Sequence, residues 1–328
     1  MTTLNVRILA TGSHTPERIL TNADLEKMVQ TTDEWITTRT GIKERRIADE
    51  KTATSDLAVE AARKALQEAN LQPADIDLII VATVTPDMSF PSTACYVQKA
   101  LGAVNAAAFD LAAACTGFIY GIVVAKSLIE SGVYKKILLI GAETLSKITD
   151  WQDRNTCVLF GDGAGAMILG ATNEKSDILS SFIGADGNYD QLLQLPAGGS
   201  RNPTSQKTLD DRMHYMKMAG KEVFKVAVTK MAEAAQKALD MAGKKPQDIA
   251  LIIPHQANLR IIEAIAKRME FPLEKVFINL HKYGNVSAAT TIIALDEARK
   301  HGRVKKGDLV ELVAFGGGFT WGAALLQI

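Results

Sequence analysis

The sequence predicts an α/β protein of two duplicated α/β halves packed in layers about a pseudo-twofold axis, and three observations predict it. Residues 61–80 lie without a gap on residues 234–253, with more than half the positions identical, so a helix, a Pro-x-Asp turn and an apolar strand recur. The step from Cys115 to Gly132 equals the step from Asn285 to Gly302, and each glycine leads into a lysine pair and a second apolar strand. The chain of 328 residues suits two units at roughly 150 residues each. We place the halves at 1–172 and 173–328, which makes Cys115 and Asn285 neighbours where the two meet.

In chain order, residues 6–10 read as a first strand, and Asn22 is placed to cap a short helix over 23–30. Residues 31–46 form a polar stretch with one tryptophan and several arginines. A helix runs from Ser55 to Ala69, its apolar positions being Leu57, Ala58, Ala61, Ala62, Ala65 and Leu66. The strand over 76–84 is rich enough in Ile and Val to be buried on both faces. Cys115 follows a run of small residues and precedes Phe118, Ile122, Ala125 and Ile129, spaced for a buried helix. That puts the sulfur at a helix N-terminus, where unpaired N–H groups and the helix dipole favour thiolate over thiol. The glycines from Gly161 mark a tight strand packed at an interface rather than a dinucleotide loop, because no later strand-loop-helix unit with a ribose-binding acid follows. His255 ends the second copy of the buried strand, at the kind of strand end where α/β proteins hold their chemistry.

Composition narrows the function. Lys plus Arg equals Asp plus Glu at 37 each, so no global charge draws the chain to nucleic acid or anionic membrane. No apolar run approaches the ~18 residues of a membrane span, and the first residues lack a signal-peptide pattern, so the cytoplasm is expected. The three scattered cysteines, Cys95, Cys115 and Cys157, suit free thiols in a reducing compartment and neither a disulfide framework nor a metal site.

Cys115, His255 and Asn285 together suggest acyl chemistry on sulfur. A neutral imidazole and a carboxamide can both donate to one thioester carbonyl, and if that carbonyl is malonyl, donors there favour the enolate left by decarboxylation. No metal is required. The run Phe315-Gly-Gly-Gly-Phe-Thr-Trp-Gly322 supplies bare N–H groups, one of which, with that of Cys115, would form an oxyanion hole. Taken singly, each residue has a plainer reading: a core cysteine, a satisfied core histidine, a turn asparagine. A cysteine hydrolase uses the same three residue types.

Leu111-Ala-Ala-Ala-Cys-Thr-Gly-Phe118, Pro254-His-Gln-Ala-Asn-Leu-Arg-Ile261 and Tyr283-Gly-Asn-Val-Ser-Ala-Ala-Thr290 resemble the three active-site signatures of the β-ketoacyl-acyl-carrier-protein synthase III family. Thr32-Asp-Glu-Trp-Ile36, Arg39-Thr-Gly-Ile42 and the glycine run near the C-terminus resemble it too, so the likeness spans nearly the whole chain. The resemblance implies a thiolase-like fold, a cytoplasmic homodimer, and an acyltransferase whose substrates are acyl-CoA and malonyl-acyl-carrier protein. The CoA thioester is a substrate, and no cofactor is expected. It implies that Cys115 accepts a short acyl group, acetyl foremost, that His255 and Asn285 serve decarboxylation, and that Gly317 joins Cys115 in the oxyanion hole. Trp35 and Arg154 would sandwich the CoA adenine, with Thr31, Arg39 and Asn258 along the pantetheine and phosphate path. Phe160 would line the acyl pocket, and Phe90 would cross the dimer interface to close it. Lys225, Arg260, Lys267 and Arg268 form a basic rim suited to an acidic carrier protein. Related CoA-dependent ketosynthases of polyketide or other secondary metabolism remain open beside this reading.

Overall fold

The computed structural model describes residues 4–328. Its five-stranded sheet runs, edge to edge, Asn5–His14, Asp162–Thr172, Lys136–Thr144, Leu78–Ala82 and Ala107–Leu111. Its four-stranded sheet repeats that order with Ile178–Ala185, Thr320–Gln327, Leu309–Gly316 and Leu251–Pro254. In both, the first two pairings are antiparallel and the next is parallel. Where the first sheet has a fifth strand, the second has only a bridge from Ile252 to Val276.

Side-chain alternation along these strands builds the layers. Leu78 and Ile80 point into a central core with Phe118, Ile122 and Ile129 of the Gly117–Glu130 helix, and Leu251, Ile253 and Leu312 meet the same core from the other sheet. The Thr290–Lys300 helix adds Ile292, Leu295 and Ala298. Ile79 and Val81 point the other way, onto the alanine-rich face of the Thr54–Ala69 helix. Val313 and Phe315 do likewise toward the Gly220–Ala242 and Leu259–Arg268 helices. The order is helix, sheet, helices, sheet, helix, and each fully buried Leu or Ile contributes roughly 1.5–3 kcal/mol to holding it.

The strands starting at Asn5, Leu78 and Lys136 and the helix starting at Gly117 each have a counterpart 173 residues later. At that spacing Cys115 corresponds to Ala288, not Asn285. The equal steps from Cys115 to Gly132 and from Asn285 to Gly302 mislead because the second central helix has 11 residues where the first has 14, and the turn after it is longer by the same amount. The two changes cancel before the next strand.

Three local expectations also change. The first strand extends over Asn5–His14, since the apolar core on one side and Asp162–Thr172 on the other pair its whole length. The helix after it is only Asn22–Leu25, and its cap is Thr21, whose hydroxyl accepts the Asp24 N–H. Asn22 lies inside instead, donating to Asp33 and the Ile42 carbonyl and accepting from the buried Arg45 guanidinium. The polar stretch 31–46 folds into the Asp33–Thr40 helix and the Glu44–Arg46 strand. The glycines after Gly161 lie in the buried strand Asp162–Thr172, where a Cβ on Gly165 would sit 2.5 Å from Ile292.

Candidate active site

Two matching turns meet between the sheets. Ala114–Thr116, which carries Cys115, packs on Ser287–Ala289, which follows Asn285. Small residues permit the approach: a Cβ on Gly141 would lie 2.7 Å from the Ala288 carbonyl oxygen. Each turn holds a non-glycine residue at positive φ, Ala114 at 46° and Ser287 at 45°. Such backbone persists only where its surroundings over-determine it, and it clusters at functional sites.

Cys115, His255 and Asn285 line one cavity of about 740 Å³, together with Gly317, Phe160, Trp35, Arg39 and Asn258. His255 extends the Leu251–Pro254 strand, its N–H donating to Val313 at 2.7 Å. Asn285 is held by backbone bonds on both sides, N–H to Leu159 at 2.8 Å and carbonyl from Gly161 at 3.0 Å. Gly284 has φ +64°, and a Cβ there would stand 2.7 Å from the Leu159 oxygen, so the approach that aims Asn285 needs a glycine. The Asn285 side-chain oxygen accepts the Ser287 N–H at 2.8 Å, which leaves its NH₂ facing the cavity. Among the described residues, neither the Cys115 nor the Gly317 N–H is bonded to another backbone carbonyl.

The electrostatics correct one expectation. Cys115 lies in the short turn before the helix, and burial pushes its thiol up to about 12, with the Glu143 carboxyl acting the same way. Desolvation of the anion outweighs the helix end, which favours the thiol over the thiolate. Burial lowers His255 to about 3, so the imidazole is neutral. Glu143 was not singled out in the sequence. It is fully buried and pushed up to about 7 by desolvation, against bonds from Thr83, Val84 and Thr85. The signal for it was a carboxylate inside an otherwise apolar strand. Gly316, within the C-terminal glycine run, has a role beyond a bare N–H: it backs the nucleophile, and a Cβ on it would lie 2.6 Å from the Cys115 nitrogen.

The outer residues divide. The Arg154 guanidinium lies 4.9 Å from the Trp35 ring centroid and also donates to Gln30, while Arg39 stands 5.9 Å from the same ring. The Trp35–Arg154 pair is therefore closed on itself. A flat ring held between them needs roughly 7 Å, two stacking distances. The Asn258 side chain caps the Leu259–Arg268 helix and donates to the Arg39 carbonyl at 3.1 Å. Thr31 is half-buried and its hydroxyl has no partner. Phe90 does not line the cavity; it is 84% exposed. Lys225, Arg260, Lys267 and Arg268 are all exposed, on two adjoining helices whose Lys221, Phe224 and Ile261 line the cavity. No cluster of three or more His, Cys, Asp or Glu suited to a metal occurs among the described residues, nor any helix long and apolar enough to cross a membrane.

Residues 109–187 match the family model of 3-oxoacyl-[acyl-carrier-protein (ACP)] synthase III, and residues 239–328 match the model of its C-terminal part. The β-ketoacyl-[acyl-carrier-protein] synthase III of Caldanaerobacter subterraneus subsp. tengcongensis is 59% identical over 320 residues, covering 98% of this chain and 97% of that one. The crystal structure of 3-oxoacyl-[acyl-carrier-protein] synthase III from Aquifex aeolicus superposes with a TM-score of 0.91 at 52% identity, covering 99% of this chain and 100% of that one. The priming β-ketosynthase of the R1128 polyketide pathway superposes at 0.92, with 34% identity and coverage of 99% and 97%.

Proposed function

Because the chain belongs to the β-ketoacyl-acyl-carrier-protein synthase III family, and so is an acyltransferase of the initiating condensation of fatty acid synthesis, we propose that Cys115, His255 and Asn285 carry that reaction. The carrying observation is their convergence, from both halves of the chain, on one cavity. In the first half-reaction the Cys115 sulfur attacks the acyl-CoA carbonyl. A new C–S bond forms, the bond to the CoA sulfur breaks, and the proton lost by the thiol balances the one the departing CoA sulfur takes up. The oxyanion of the tetrahedral intermediate faces the free N–H groups of Cys115 and Gly317. In the second half-reaction malonyl-carrier protein loses CO₂. The electron pair of the broken C–C bond passes into an enolate whose oxygen is met by His255 and the Asn285 NH₂. The enolate carbon then attacks the acyl-cysteine carbonyl and expels the thiolate, giving a 3-ketoacyl product.

The remaining assignments rest on position. Trp35 and Arg154 would open to hold the adenine, and the pantetheine and phosphates would pass Thr31, Arg39 and Asn258; of these five, Trp35, Arg39 and Asn258 line the cavity, while Thr31 and Arg154 do not. Phe160 borders a pocket for a short acyl group, acetyl foremost. A homodimer is supported by the open edge strand Ala107–Leu111 and by Met88, Phe90, Val104 and Phe109, apolar side chains exposed nearby. There Phe90 would close the other subunit's pocket. Lys225, Arg260, Lys267 and Arg268 dock the acidic carrier, and the cytoplasm is where both substrates meet the enzyme.

Intact-protein mass spectrometry after acyl-CoA treatment tests the core of this reading. The parent gains one acyl group, and Cys115→Ser, nearly equal in volume, folds and gains none. An acyl group retained by Cys115→Ser places the nucleophile elsewhere.

A further inference from the structure

We propose that Thr290 is a positioning residue that fixes His255 in its Nε2–H tautomer, so that the imidazole meets the substrate carbonyl as a hydrogen-bond donor. The inference deepens the reading of His255 given above and rests on it.

The geometry is a short chain of groups. His255 Nδ1 lies 2.6 Å from the Thr290 hydroxyl oxygen, and both residues are buried. The same hydroxyl is 3.0 Å from the Ser287 carbonyl oxygen. Thr290 has one proton to give. If it goes to the carbonyl, Nδ1 must carry a proton and Nε2 shows the cavity a bare lone pair. If it goes to Nδ1, the ring proton sits on Nε2 and the cavity meets a donor.

Three observations select the second arrangement. A separation of 2.6 Å is below the usual 2.7–3.2 Å of an N–H donating to an oxygen, which favours the hydroxyl as the donor. The Ser287 carbonyl already receives the Thr290 backbone N–H and has no need of the hydroxyl, whereas Nδ1 has no other partner among the described residues. Burial keeps the ring neutral, so one nitrogen must be an acceptor. The same turn treats Asn285 alike: the Ser287 N–H engages its side-chain oxygen and turns the NH₂ outward. The Ser287–Ala289 turn and the first residue of the helix that follows it thus set the polarity of both groups, and both present N–H to the cavity. An unfixed imidazole would spend part of its time with a lone pair facing the enolate oxygen, which repels it.

Nitrogen-15 NMR of histidine-labelled protein reads the tautomer directly. The parent is expected to show His255 protonated at Nε2 and unprotonated at Nδ1, Thr290→Val to show a mixture, and Thr290→Ser to restore the parent signature. Decarboxylation of malonyl-carrier protein should fall about tenfold in Thr290→Val, less than the 10²–10³ of losing a donor outright. Acyl transfer from acyl-CoA to Cys115 should stay within about twofold, and Thr290→Ser should recover decarboxylation. A parent spectrum with the proton on Nδ1, or full decarboxylation by Thr290→Val, overturns the proposal. If instead His255→Ala decarboxylates normally, the role of His255 is what fails, and the nitrogen spectrum still decides the tautomer.

Discussion

Glu311 carries a stability penalty that one substitution should release. It sits mid-strand, 0% exposed, beside Ile252 on one neighbouring strand and Leu325 on the other, and neither carboxyl oxygen has a hydrogen-bond partner. Desolvation raises it well above its ordinary value of 4.5, so between those two values the folded protein holds a proton that the unfolded chain releases. Holding a proton on such a group costs ~1.4 kcal/mol for each pH unit above 4.5, up to the folded-state value. The sign follows from the proton count. The folded state binds more protons, so this contribution lowers stability as pH rises from 4.5 toward the folded-state value. The matching position of the first half holds Leu138, fully buried in the same strand of the duplicate. Glu311→Leu should therefore gain a part that grows as pH rises from 4.5 to 7, plus roughly 1–3 kcal/mol for the unpaired oxygens, and only the second part should persist near pH 4.5. Glu311→Gln should recover the pH-dependent part alone. Urea unfolding followed by circular dichroism at fixed protein concentration, at pH 4.5, 6 and 7, measures all three. A Leu variant no more stable than the parent, or a gain that does not shrink on acidification, refutes the reasoning.

Gly316→Ala should cut acylation of Cys115 by ~10²-fold with an unchanged circular dichroism spectrum. Its Cβ, 2.6 Å from the Cys115 nitrogen, pushes the nucleophile's turn out of place, and wild-type rates in that variant would contradict the packing. Trp35→Ala should raise KM for acyl-CoA about tenfold by removing a stacking face, yet leave turnover of a nucleotide-free acyl thioester unchanged. Equal losses for both donors would place Trp35 in the fold rather than the binding path. Arg260→Glu with Lys267→Glu should raise KM for malonyl-carrier protein and spare acyl transfer from CoA, an effect that weakens in high salt. Indifference to the charge reversal would move the docking face elsewhere.

Local chemistry was legible without coordinates. The buried strand and helix around Leu78 and Phe118, the repeat of residues 61–80, and the trio Cys115, His255 and Asn285 are each written in short stretches whose spacing or residue type speaks directly. Two apolar faces on one strand demand layers on both sides, which is why the repeat alone implied two stacked sheets. The exact alignment of the halves was not legible, because a shortened helix and a lengthened turn cancel in the count and only superposed strands separate them.

What the sequence by itself determined was the set of reactive groups and the duplication that brings them together, since these depend on residue identity and period. Tertiary structure decided their electrical state. The thiol of Cys115 rests protonated, His255 is neutral, and Glu143 joins the site, because desolvation depends on what surrounds a group in three dimensions. It also decided direction. Asn285 is turned by the local Ser287 N–H, but whether His255 shows the cavity a donor or a lone pair is set by Thr290, a contact made only when the start of its helix closes against the end of a strand more than thirty residues earlier in the chain.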